Sequence, residues 1–317
     1  MSSSAATFWS NHQGYAVNWF QFCAPYIWRR VTGDPKMPLT HWALSITGKP
    51  AHLLEVGCLD GKKLAGLLKA GLAERASGMD IAAGAIERGR DLHPELELFV
   101  GDLNHPDLPE ETYDVILANG VLHHIENIET CAHALRAALK PGGWLISGDF
   151  TGPRRYAYSD EEIALIHEGQ LMLPQEIRGD LFHPDQIATK LQNDPSESIS
   201  TTIIVPTLRS VFDEVIERKY GGNVLQRALT KRFFRTFDAA KPEHVAAVER
   251  MEVFDEAVSQ DYSSHLLCFT QSSLGGEQQF HEIASQRDDL ACICELTPKY
   301  DVHGGRRIHS RIQNCVC

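Results

Sequence analysis

The sequence predicts an α/β fold, a mostly parallel sheet with helices on both faces. Three observations lead there. Short apolar runs alternate with amphipathic stretches between residues 51 and 149. The first run passes through a glycine turn directly into a helix-like stretch. Acidic residues end three successive runs, on the edge where open α/β sheets bind ligands.

The apolar runs cover 53–57, 76–80, 96–100, 113–119 and 144–149, each short enough for a buried strand. Between them, 62–74, 82–91 and 129–139 read as helices, and Pro141-Gly142-Gly143 is expected to stop the last. Ahead of this core, residues 1–41 carry Phe8, Trp9, Trp19, Phe20 and Trp28. That is too apolar for a solvated leader, so a docked helical segment or lid is expected. Beyond 149, a loop at 151–159 leads to a helix carrying Ile163, Ile166 and Leu171. A strand at 212–220 ends at Gly221-Gly222. Val245, Val248, Met251, Phe254 and Val258 recur at helical spacing over 242–259, and 265–270 reads as a final strand. Residues 271–317 show no sustained period and read as a poorly ordered tail. The chain thus divides into 1–41, a core at 42–150, later elements at 151–270, and the tail.

Composition narrows the functional classes. The 317 residues are 43% hydrophobic and 23% charged, as in soluble globular proteins. No apolar run approaches the roughly 18–20 residues that cross a bilayer. The N-terminus lacks the basic-then-apolar pattern of a signal peptide. A cytoplasmic protein without membrane partners is expected. The formal net charge of −12, with basic residues clustered only as Arg154-Arg155 and Arg306-Arg307, argues against nucleic acid. Cys23, Cys58, Cys131 and Cys268 lie among apolar residues and read as buried free thiols. Cys292-x-Cys294 and Cys315-x-Cys317 are spaced by one residue rather than the two usual for zinc, so no metal is expected.

The glycine turn reads Glu55-Val56-Gly57-Cys58-Leu59-Asp60-Gly61. Glycine at 57 and 61 permits a tight turn and close ligand approach. Asp80 ends the second run, where a carboxylate can accept from both hydroxyls of a ribose. Asp102 follows the third and is placed to meet an adenine edge. A pyrophosphate-binding loop explains the glycines equally well, and an N-cap explains Asp80 alone. The conjunction of Glu55, Asp80 and Asp102 at neighbouring strand tips is the specific signal.

Glu55-Val56-Gly57-x-x-x-Gly61, Asp80, Gly101-Asp102, Tyr113-Asp114-Val115-Ile116, the stretch Asn119–Glu126 and Leu139-Lys140-Pro141-Gly142-Gly143 together resemble the successive motifs of class I S-adenosylmethionine-dependent methyltransferases. The resemblance implies a Rossmann-like sheet of seven strands and S-adenosyl-L-methionine held by Glu55, Gly57, Cys58, Leu59, Asp60, Gly61, Asp80, Ile81, Asp102, Leu103, Asn119 and Gly120. Family members often carry a glycine where this chain has Leu59. Gly152-Pro153-x-Arg155-Tyr156, Leu173-Pro174, Asp194-Pro195-Ser196-Glu197 and Tyr220-Gly221-Gly222 resemble a bacterial subgroup found near glycan biosynthesis. The resemblance ends near residue 270.

Methyl transfer from a sulfonium needs alignment and, for a hydroxyl acceptor, a base worth roughly 10²–10⁴-fold. His124, His123 and Asp149 are the candidates for that base, because they follow the fourth and fifth strands. Arg155 and Tyr156 are candidates to orient an acceptor, and 151–270 is expected to supply an acceptor-side insertion besides the remaining strands, with 151–210 and the N-terminal segment roofing the site. The expected acceptor is a small molecule or glycan precursor methylated on oxygen or nitrogen. A non-catalytic donor-binding protein, favoured by Leu59, is the alternative. A nicotinamide-dependent oxidoreductase has only the generic turn and Asp80 in its favour.

Overall fold

The computed structural model describes residues 18–262 and 265–271. The strands are β1 His52–Val56, β2 Arg75–Asp80, β3 Glu97–Val100, β4 Tyr113–Asn119, β5 Leu139–Phe150, β6 Glu214–Gly221 and β7 His265–Gln271. They form one seven-stranded sheet in the order β3-β2-β1-β4-β5-β7-β6. β1 to β5 pair in parallel, and β7 lies antiparallel between β5 and β6. The expected Rossmann-like, mostly parallel sheet is the fold of this chain.

Two apolar layers explain why the central strands read as unbroken hydrophobic runs. Side chains alternate across a strand, so Leu53, Val115, Leu117, Trp144 and Phe269 enter one layer. Their neighbours Leu54, Ile116, Ala118, Leu145 and Cys268 enter the other. The helices Ala24–Thr32, Lys62–Lys69 and Pro242–Tyr262 contribute to the first layer, and Ile128–Ala138 and Ile204–Val211 to the second. Among the described residues, no helix is long and apolar enough to cross a membrane.

Several boundaries move. The helix expected over 62–74 ends at Lys69, because Gly71 turns the chain with φ +73°. The helix before Pro141 ends at Ala138, where Leu139 is already extended and pairs with Tyr113. Pro141-Gly142-Gly143 therefore lies in an irregular start of β5 rather than ending a helix. Helices Asp185–Asn193 and Ile204–Val211 were not expected. The second tolerates Pro206 because its first-turn amides need no intrahelical partner.

Helices Trp19–Phe22, Ala24–Thr32 and Leu39–Thr47 occupy the aromatic-rich N-terminal segment. Phe22 meets Phe233, Phe234 and Phe237 edge-on, which makes these phenylalanines part of the core. Cys23, Cys58, Cys131 and Cys268 are buried and free. The Cys-x-Cys pairs, Arg306-Arg307 and the tail beyond Gln271 lie outside the described residues.

One buried carboxylate ties the later elements to the N-terminal helices. Asp255, on the helix Pro242–Tyr262, accepts from the backbone N–H of Gly222 at 2.8 Å, Val224 at 3.0 Å and Leu225 at 3.3 Å. The Tyr26 hydroxyl donates to the same carboxylate at 3.2 Å. Gly221 and Gly222 both have φ +87°, and a Cβ on Gly222 would stand 2.5 Å from the Trp19 ring. Only glycine fits that turn.

Replacing Asp255 by alanine strands three buried N–H groups. The expected loss is about 3 kcal/mol or more in urea denaturation. Asp255→Asn, which keeps an acceptor, is expected to lose clearly less.

Candidate active site

A cleft of about 420 Å³ opens at the carboxyl ends of β1, β2 and β4. Strand order reverses between β1 and β4, so this is the topological switch point of the sheet. Its volume lies in the range of small-molecule and cofactor sites. Of the residues expected to hold a donor, Gly57, Leu59, Asp80, Ile81, Asp102, Leu103, Asn119 and Gly120 line it. Glu55, Cys58, Asp60 and Gly61 stand behind the lining. Asp60 accepts from Lys62 N at 3.2 Å, Gly61 caps the helix Lys62–Lys69 with φ +73°, and the Cys58 thiol is buried.

The first turn is closed by backbone bonds. Gly57 N and Cys58 N donate to Met79 O at 2.8 and 3.2 Å. Gly57 has φ +73°, and a Cβ there would sit 2.9 Å from Val121 Cβ. Leu59 also lies in the left-handed region, at φ +52°. For a residue with a Cβ this costs about 1–2 kcal/mol. Its N–H is aimed at Asp80 Oδ2, 2.8 Å away, while Ala82 N donates to Oδ1 at 2.9 Å. The departure from glycine at 59 is thus absorbed by backbone strain, and Leu59 and Asp80 line the cleft together. Burial raises the Asp80 pKa, opposed by the N–H groups of Ala82 and Leu59.

Two orphaned polar atoms test whether these residues suit a polar, cationic ligand. Glu55 is buried; Oε1 is held by Lys63 Nζ at 3.0 Å, and Oε2 has no hydrogen-bond partner. Asn119 Nδ2 is likewise buried without a partner. A buried polar atom is normally bonded, so both are suited to a ligand that supplies donors and acceptors. Asp80, Asp102 and Glu126 in the lining make the cleft electronegative beside an unhindered Gly120. These residues fit an adenosine-bearing sulfonium.

The far wall comes from residues 195–199, within the 151–210 stretch expected to roof the acceptor site. The Gly152–Tyr156 and Asp194–Glu197 motifs, distant in sequence, meet there. Arg155 Nη1 donates to the carbonyls of Pro195 at 2.7 Å and Glu197 at 3.1 Å, so it braces this loop. The Tyr156 hydroxyl hydrogen-bonds Glu197 Oε1, and Lys190 Nζ lies 3.0 Å from Oε2. Ile199 N donates to His123 O at 3.0 Å, lacing the loop to the end of β4.

The three base candidates separate sharply. Asp149 is buried; it accepts from Leu122 N at 2.8 Å, Phe150 N at 2.8 Å and the His123 ring at 2.5 Å. His123 Nε2 lies 3.7 Å from Glu197 Oε1. Burial depresses the His123 pKa, but the carboxylates of Asp149 and Glu197 outweigh it and raise it. Neither Asp149 nor His123 belongs to the cleft lining; His124 does. Burial, then the charge of His123, lowers the His124 pKa to about 4. Carboxylates on both sides thus favour the charged form of His123, while His124 is held toward the neutral form at the cleft. His123, His124 and Glu197 offer ligand atoms within 4.8 Å of one another. Asp149, Tyr156 and Lys190 already engage that set.

Residues 54–147 match the family model described as a methyltransferase domain. An uncharacterized methyltransferase of Mycobacterium tuberculosis is 33% identical over 106 residues, 32% of this chain and 51% of that protein. The ubiquinone biosynthesis O-methyltransferase of Hydrogenovibrio crunogenus is 32% identical over 98 residues, 29% of this chain and 40% of that protein. The chain thus spans about half or less of these curated relatives. A solved geranyl diphosphate methyltransferase, bound to GPP and sinefungin, superposes over 86% of this chain and 99% of its own. Its TM-score is 0.51 at 12% identity, a likeness of fold. The matched segment contains β1, β2, β3, β4 and the turn that carries Gly57 and Asp80. Residues 54–147 are therefore similar to a methyltransferase domain.

Proposed function

We propose that the protein moves a methyl group from S-adenosyl-L-methionine to oxygen or nitrogen of a small molecule, glycan precursors included. The carrying observation is the electronegative cleft at the switch point, walled on one side by Asp80 and Asp102 and on the other by His124 and residues 195–199. When bound, the donor supplies a methyl group already activated on a sulfonium. The protein's own part is to bind, align and exclude water. Asp80 accepts from ribose hydroxyls with the lone pairs that Leu59 N and Ala82 N leave over. Asp102 and Leu103 flank the adenine, and Glu55 Oε2 and Asn119 Nδ2 serve the amino-acid end. His124, neutral at physiological pH, is the group placed to take a proton from the acceptor.

Residues 151–211 form the acceptor side in this reading, since Pro195, Ser196 and Ile199 share the cleft with the donor residues. The quinone-pathway name of one relative accords with a small-molecule acceptor. The non-catalytic alternative draws on Leu59 alone, and Leu59 reaches the left-handed turn conformation that glycine prefers.

Calorimetry with S-adenosylhomocysteine tests the donor site. Binding is expected, and absence of heat at millimolar ligand overturns the reading. Asp80→Ala removes the anchor of the turn and is expected to weaken that binding about 10-fold or more, near 1.4 kcal/mol. Leu59→Gly relieves the left-handed strain and is expected to bind the same ligand at least as tightly as the parent.

Acid stability follows from the histidines. His124 is lowered to about 4, and burial, then Arg227 and His123, lower His265 to about 3. Below the ordinary value near 6.5 the unfolded chain binds protons that the folded chain refuses, so both contributions are full above that pH and fall away below it. His123, raised, works oppositely: its contribution is full below 6.5 and is lost as pH rises through its elevated value. Glu197, held down to about 2 because Lys190 and the histidines outweigh burial, adds a further acid loss below its ordinary value. Glu252, raised to about 7 chiefly by burial, opposes this between about pH 7 and its ordinary value, but the two histidines together outweigh it, so the melting temperature is expected to fall from about pH 6.5 to pH 4. A flat profile across that interval contradicts the assignment.

A further inference from the structure

The loop over the cleft does more than wall it. Ser196 Oγ lies 2.6 Å from Asp194 Oδ1 and donates its single hydrogen there, and Ser196 N donates to the same oxygen at 3.1 Å. His124 Nδ1 lies 3.0 Å from Ser196 Oγ. A hydroxyl whose hydrogen is committed elsewhere can only accept, so Nδ1 must carry the ring proton. Asp194 Oδ2, 3.6 Å from Nδ1, favours the same arrangement. The basic lone pair then falls on Nε2 of the one histidine of the pair that lines the cleft.

We propose that Ser196, oriented by Asp194, is a positioning residue that fixes the tautomer of His124 with its basic lone pair on Nε2, and that the acceptor is accordingly a hydroxyl compound. This rests on the methyl-transfer reading and sharpens it from oxygen or nitrogen to oxygen. A neutral amine attacks with its own lone pair and needs no base beforehand. A hydroxyl gains most from a base oriented in advance. In the step, the hydroxyl oxygen forms its bond to the methyl carbon as the carbon–sulfur bond breaks, and sulfur keeps that electron pair. The hydroxyl proton passes to His124 Nε2 and from there to water.

Neighbouring groups agree with this division of labour. His123 is engaged by Asp149 on one side and Glu197 on the other, and its charge keeps the adjoining ring neutral. A second proton on His124 would face that charge at a ring separation of 4.1 Å. Lys190 is directed to Glu197 rather than to Asp194.

The test is nitrogen NMR of the full chain labelled with ¹⁵N-histidine, with the His124 signal assigned by its loss in His124→Gln. In the parent near pH 7, His124 is expected as the Nδ1–H tautomer alone. Ser196→Ala is expected to admit the Nε2–H tautomer, and Ser196→Thr, which keeps a hydroxyl, to restore the parent spectrum. An Nε2–H signal in the parent, or a tautomer unmoved by Ser196→Ala, overturns the proposal. S-adenosylhomocysteine calorimetry on the same samples separates the two readings. Loss of binding in the parent sinks methyl transfer itself, whereas intact binding with the wrong tautomer sinks only the role of Ser196.

Incubation of cell extract with methyl-labelled S-adenosyl-L-methionine addresses the acceptor. Label in methyl ethers is expected, falling about 10-fold or more in Ser196→Ala and about 100-fold in His124→Gln. Label confined to nitrogen, sulfur or carboxylate esters overturns the hydroxyl assignment. No label at all, with donor binding intact, favours the non-catalytic reading and removes the ground beneath both.

Discussion

At the carboxyl end of β5, Asp149 is enclosed by protein and receives two backbone N–H groups and the His123 ring. That ring passes the interaction on to Glu197, which in turn holds Tyr156 and Lys190. A buried chain of charges is stable only if each member keeps its partner, and removing one leaves another desolvated and alone. The shape of the site depends on this chain. It locks the tip of β5 to the 3-10 turn Leu122–His124, and that turn to a loop drawn from a distant part of the sequence. The far wall of the cleft stands where it does because Glu197 must meet His123.

The same chain separates two adjacent histidines chemically. His123 is committed to carboxylates on both sides, which favour its charged form. His124, one residue on, lines the cleft, and burial with its neighbour's charge favours its neutral form. The two rings represent one arrangement of charge rather than two independent titrations. The pairing turns a His-His dipeptide into a carboxylate-bound ring and a cleft-lining ring.

The donor side relies on backbone geometry. Gly57 turns the chain against Val121, and the N–H of Leu59 reaches Asp80 because that residue accepts a left-handed conformation. Asp80 thus serves the turn and the cleft at once. The opposite wall is built from segments after β5, braced by Arg155 and laced to the end of β4 through Ile199 N and His123 O. Four residues that bound the cleft or brace its loop, Leu59, Arg155, Tyr156 and Ser198, have positive φ. Such conformations persist where surrounding structure over-determines them.

Alternation of apolar runs and helix-like stretches marked the strands and the parallel order of the first five, and the glycine turn with carboxylates at neighbouring strand tips marked the crevice where Gly57, Asp80 and Asp102 converge, because these are local signals. Residue type and position also singled out His123, His124 and Asp149, yet not their roles. Which histidine lies buried and which faces the cleft depends on Glu197 and Ser196, more than seventy positions away. Helices Asp185–Asn193 and Ile204–Val211 escaped the reading because at nine and eight residues they are too short to be stable alone and depend on tertiary packing. The pairing of the Gly152–Tyr156 and Asp194–Glu197 motifs likewise has no local signature. It is an electrostatic requirement of buried carboxylates, satisfied only once the chain has folded back over the sheet.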